Sequence, residues 1–207
     1  MAYRPLDLDP QVPVRVRRLI QSLEDHFFQD VHTMRRLPEP DHQLTAGCNF
    51  AITQVLAAAV SGVSVTLYSH AGGSGVRFKG LLKDFYPWSS EPGNTVTPDA
   101  GADAIYSLIR NPLTHDLGLD LEKRRKTQKV VIKRLATDQG RKGLPEAVIL
   151  QLEQPGREVS MSPTVTTAYG RTVLLVEAFY WGVRKMVENL SHDSSRMLAA
   201  KAFLASI

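Results

Sequence analysis

Val16, Leu19, Ile20, Leu23, Phe27, Val31 and Met34 recur at steps of three and four residues, the spacing that lines one face of an α-helix. A chain that begins with such a stripe must supply a second apolar surface to cover it. The stripe ends near Leu37, ahead of Pro38 and Pro40. From Leu44 to about Tyr68 the chain is small, apolar and nearly uncharged, which predicts a helix buried on most of its circumference. Gly62, Val63, Val65 and Thr66 weaken the helical preference of its last turns, so fraying or extended chain is an alternative there.

After the turn residues "SHAGGSG", Val76, Phe78, Leu81, Leu82 and Phe85 predict a shorter helix that stops at Pro87. A loop follows. Asp99 to Ile109 reads as helix again, with Ala102, Ile105, Tyr106, Leu108 and Ile109 on overlapping faces. Beyond Asp120 the character changes to short β-branched runs, "KVVIKRLAT", "AVILQLEQ" and "REVSMS". Glycine- and proline-bearing breaks separate them, which predicts a two- or three-stranded antiparallel unit. The rival is a helix running through "LEKRRKTQKVVIKRL". Thr164 to Leu190 reads as one long helical pattern, and a short last helix starts near Ser191. The expected architecture is mainly α: one domain over 1–207, a bundle of five or six helices, with a small antiparallel β insertion before the last long helix.

Charge is unevenly placed. Of a net +4, the stretch from Glu122 to Lys142 carries +7, leaving −3 elsewhere. Its nine basic residues are Lys123, Arg124, Arg125, Lys126, Lys129, Lys133, Arg134, Arg141 and Lys142, against Glu122 and Asp138. Such a cluster suits nucleic-acid phosphate, although a solvated face is the commoner origin of a charge run. A single cysteine, Cys48, excludes a disulfide framework and a multi-cysteine zinc site, and fits a reducing cytoplasm. No stretch reads as a secretory signal or a membrane span. The expectation is a soluble cytoplasmic protein with no membrane association.

The most informative six residues are "RNPLTH", Arg110 to His115. Proline disfavours helix in the residue before it and fits a first helical turn, and asparagine accepts from the exposed amides there, so one helix ends near Arg110 and another starts at Pro112. Asn111 and His115 then lie about one turn apart. Arg110 can be aimed into the same space.

The run resembles the R-x4-H signature of HEPN domains, helical bundles in which a polar residue, often Asn, follows the arginine. The resemblance is sharp over these six residues and diffuse around them, and the segment from Lys123 to Pro163 departs from a minimal four-helix HEPN domain. It implies a HEPN-like bundle with a basic, hairpin-like elaboration at about 123–163. It also implies a metal-independent endoribonuclease of a toxin–antitoxin or other defence system, with Arg110 and His115 catalytic and Asn111 beside them. The cleft would form across a homodimer. RNA is the implied substrate, an antitoxin or regulatory protein an implied partner, and no cofactor is required. The chemistry agrees: a histidine titrates near neutral pH and serves as acid or base, while a guanidinium offers fixed donors to a phosphate gaining charge. Several HEPN branches are non-catalytic nucleotide-, RNA- or protein-binding modules, which is the alternative reading. The simpler structural reading is an arginine on terminal carbonyls, an Asn-Pro helix start and a structural histidine.

Other signals are weaker. His26 and His32 are six apart, the wrong spacing for two ligands on one helical face, and no metal site is expected. "HAGGSGVRFKG" lacks the lysine and hydroxyl ending of a P-loop. Tyr169, Tyr180 and Trp181 read as packing, with Trp181 a candidate for a dimer face.

Overall fold

The computed structural model describes residues 3–34, 49–68, 72–110, 130–133, 163–168 and 171–207. Its first helix, α1, is continuous from Val14–Leu23 through a π-helical turn, Glu24–Phe28, into Gln29–Met34. Helix α2 spans Asn49–Thr66, α3 Ser74–Phe85 and α4 Pro98–Ala104, which runs on as a π-helical turn, Ile105–Arg110. Three strands, β1 (Val130–Lys133), β2 (Val165–Ala168) and β3 (Arg171–Leu175), precede α5 (Val176–Ser191) and α6 (Ser194–Ala205). The described chain is thus mainly α, with an antiparallel β2–β3 hairpin directly before α5.

Of the stripe read from the sequence, Val16, Ile20 and Val31 are sealed from solvent and Leu19, Leu23, Phe27 and Met34 are partly buried; Phe28, outside the stripe, is fully buried at the π-helical turn in place of Phe27. Against them pack Ile52, Leu56 and Val60 of α2 and Phe179, Tyr180, Val183 and Val187 of α5 in one core. Thirteen of the 16 residues of α5 are buried, which makes it the central helix. The β-branched end of α2 stays helical through Thr66 because Val63 and Leu67 are buried in that core, a tertiary override of a weak local preference. Side chains cap two helix starts. Thr97 accepts from the Ala100 amide at 3.3 Å with Pro98 in the first turn, and Asp193 caps α6 through the Arg196 amide at 3.0 Å.

Two expectations change. Thr164 to Leu190 is not one helix. Val165, Thr166, Thr167, Thr172 and Val173 are β-branched, and their preference for a pleated chain wins in a hairpin whose pairs run from Val165↔Leu174 to Ala168↔Arg171. The helix begins only at Val176. Val130–Lys133 is a strand and not the rival helix, but its partner is β3, paired in parallel from Val130↔Thr172 to Lys133↔Leu175. The sheet order is β1-β3-β2. The runs "AVILQLEQ" and "REVSMS", expected to pair with it, lie outside the described residues.

Buried polar groups tie the ends of the chain to this frame. Glu24, inside the π turn of α1, accepts from the Leu6 amide at 2.7 Å and the Tyr3 hydroxyl at 3.0 Å. Glu188 accepts from the Asp7 amide at 3.0 Å, and Ser191 from the Asp9 amide at 3.2 Å. An extended segment without a strand partner has its amides satisfied in this way by side chains of α1 and α5.

Glu91 does the same at the base of the hairpin. Its carboxylate accepts from the Thr164 amide at 3.1 Å, from the Thr164 hydroxyl and from the Tyr86 hydroxyl at 3.3 Å. Burial pushes its pKa above the ordinary carboxylate range, and the hydrogen bonds from Thr164 and Tyr86 oppose that only in part. The folded protein therefore holds this proton more tightly than the unfolded chain. Stability is lost as pH rises from the unfolded pKa through the folded one, and the cost is complete above it. Glu91→Gln, whose amide can bond the same partners without charge, is expected to flatten that fall. Thermal unfolding from pH 4 upward checks it: a wild type and variant with parallel pH profiles would refute it.

Candidate functional site at the end of helix α4

Arg110 is the last described residue of the π-helical turn that continues α4. Ile105 and Ile109 of the same turn are buried in the core, so Arg110, half-buried itself, stands at the margin of the packed face. The guanidinium carbon lies 5.5 Å from the centroid of the Tyr106 ring, four residues earlier. The π-helical turn is described as far as Arg110, and the new helix expected to start at Asn111–Pro112 lies outside the described residues. Asn111 and His115 lie outside the described residues.

Tyr106 carries more than its sequence reading as one apolar residue of a helix. Its ring packs against Phe78 of α3 at 5.6 Å, and the Lys79 ammonium sits 5.7 Å from the same ring. Lys79 is ion-paired with Asp103 of α4 at 3.0 Å, and Lys83 with Asp99 at 2.8 Å. These pairs are exposed and screened by solvent, so they orient α3 against α4 more than they stabilise it. The start of α3 is close as well: a Cβ on Gly75 would lie 2.5 Å from the Tyr106 hydroxyl oxygen. The glycine-rich run read as turn residues therefore includes one glycine with a packing role. Tyrosine and arginine at i and i+4 were the available signal for the ring–guanidinium contact.

Of the basic cluster, Lys133 ends β1, its Cα opposite Leu175 in β3. Lys123, Arg124, Arg125, Lys126, Lys129, Arg134, Arg141 and Lys142 lie outside the described residues, as does Cys48. Tyr180 is fully buried, as packing requires. Trp181 is partly buried and stacks edge-on to it at 5.1 Å. The Arg184 guanidinium lies within 5.8 Å of the rings of Tyr3, Phe28, Tyr180 and Trp181. It also donates to the Arg4 carbonyl. This aromatic set holds the amino-terminal segment onto α5. His26 is exposed and His32 buried. Among the described residues no group of three His, Cys, Asp or Glu is placed to hold a metal ion, and no helix is long and apolar enough to cross a membrane.

No family model, curated protein or solved structure matches the chain.

Proposed function

We propose that the protein is a metal-independent endoribonuclease of the HEPN type, acting as a toxin or defence-system nuclease. Arg110 holds the scissile phosphate, His115 transfers the proton and Asn111 orients the pair. The observation that carries the reading is the placement of Arg110. An arginine followed in sequence by Asn-Pro lies in the π-helical turn of α4 in a mainly α chain, its guanidinium held over an aromatic ring at the margin of the core.

Cleavage without a metal needs the 2′-hydroxyl proton removed and the charge of the phosphorane stabilised. One histidine per chain can act at one of the two proton-transfer positions, so a homodimer bringing two copies of the motif to one cleft completes the set. The basic residues from Lys123 to Lys142 gather RNA beside it, and an antitoxin or regulatory protein restrains it.

The test is incubation of labelled RNA with the purified protein in excess chelator. The expected products carry a 2′,3′-cyclic phosphate and a 5′-hydroxyl. Retention of RNA without cleavage at protein excess would replace the nuclease with a binding module, and activity abolished by the chelator would remove the proposal.

A further inference from the structure

We infer that Tyr106 is the positioning residue for Arg110, the ring on which the guanidinium is pre-set before a phosphate arrives. The inference rests on the ribonuclease reading for its consequence and on the geometry of α3 and α4 for its cause. Within an α-helix, residues four apart are already neighbours; the i→i+5 bonding of the Ile105–Arg110 turn widens the coil and brings the fourth residue more nearly above the first. The 5.5 Å separation of guanidinium and ring follows, within the range of a cation–π contact.

The ring is fixed from outside its own helix. Phe78 packs at 5.6 Å with its plane tilted by 55°. Gly75 leaves space that a Cβ would fill, 2.5 Å from the hydroxyl oxygen and 2.7 Å from Cζ. Lys79, at 5.7 Å from the ring, is tied down by Asp103, which also offsets the charge that a second cation brings toward Arg110.

A long arginine side chain loses much rotamer freedom when it grips a substrate. A seat that restricts it beforehand lowers that cost, and it lowers it most where charge develops in the transition state. The contact uses the face of the ring and not the hydroxyl. Phenylalanine should therefore serve and an aliphatic residue should not. Alanine at Gly75, which local helix propensity favours, should act like loss of the ring because it displaces it.

The experiment combines the Arg110 Nε–H resonance, assigned by comparison with Arg110→Lys, with cleavage kinetics on a single-stranded RNA in chelator. In the wild type the resonance is expected upfield, shielded by the ring. Tyr106→Leu and Gly75→Ala should lose that shift and lower kcat about tenfold or more, with KM changed less than about threefold. Tyr106→Phe should restore both.

An unshifted resonance in the wild type, a Tyr106→Leu protein with undiminished kcat, or equal losses in Tyr106→Phe and Tyr106→Leu would overturn the inference. A wild type that binds the RNA and leaves it whole removes the nuclease reading by itself. The resonance and the Kd for the same oligonucleotide then decide: weakening of about tenfold in Tyr106→Leu, reversed in Tyr106→Phe, sustains the positioning role, and equal affinities end it.

Discussion

His115→Ala is expected to lower metal-independent RNA cleavage by about 10²- to 10⁴-fold, the usual range for loss of a general acid or base, while the far-ultraviolet circular dichroism and the melting curve stay those of the wild type. The size of the effect follows from what the reaction asks of the group. Neither the 2′-hydroxyl nor the leaving 5′-oxygen carries its proton correctly at neutral pH, and water is a poor substitute for an imidazole that titrates near 6.5. If two copies of His115 meet across a dimer, one serves as base and the other as acid. The wild-type rate should then pass through a maximum with pH, and a mixed dimer of wild-type and His115→Ala chains should be as defective as the pure variant. A variant that cleaves at the wild-type rate sinks the catalytic assignment. One that melts well below the wild type would make the histidine a structural residue.

A second large effect is expected in the core, at Gly182. Alanine in place of a mid-helix glycine ordinarily stabilises by about 0.5–1 kcal/mol. At Gly182 of α5 the sign should reverse. The added Cβ would collide with the hydroxyl oxygen, Cζ and Cε2 of Tyr86. Tyr86 cannot swing aside cheaply, because its buried hydroxyl is bonded to Glu91 and Thr164 and its ring packs at a tilt against Trp88, centroids 4.4 Å apart. Overpacking a filled core costs ~1–3 kcal/mol, and losing the hydroxyl's partners adds to it. A net destabilisation of about 2 kcal/mol corresponds to a fall of roughly 4–8 °C in Tm for a chain of this size. Gly62→Ala in α2 provides the contrast, since nothing lies within 4 Å of the Cβ it would add. That variant should gain a little stability. If Gly182→Ala melts at or above the wild-type temperature, the packing of Tyr86 on α5 is not as described.

Both expectations depend on contacts that differ in how far they are written locally. The helices around the core were readable because a stripe at steps of three and four, as in Val16 to Met34, is a property of one segment. The caps, Thr97 before Pro98 and Asp193 before Ser194, also act within their own first turn, yet the sequence reading placed those starts at Asp99 and near Ser191. Periodicity misled between Thr164 and Leu175, where apolar residues that fit a helix were also β-branched, and a sheet partner was needed to choose between the two.

Apolar pattern says which side of a segment will be covered and leaves open what will cover it. The parallel pairing of Val130–Lys133 with Arg171–Leu175 joins segments about forty residues apart, and Glu91 reaches Thr164 across 73 positions. Neither partner announces the other in the chain. The seat of Arg110 is of the same kind. The arginine and its tyrosine share one helix, but the glycine and phenylalanine that hold the ring come from α3, and only the packing of α3 on α4 brings their surfaces together.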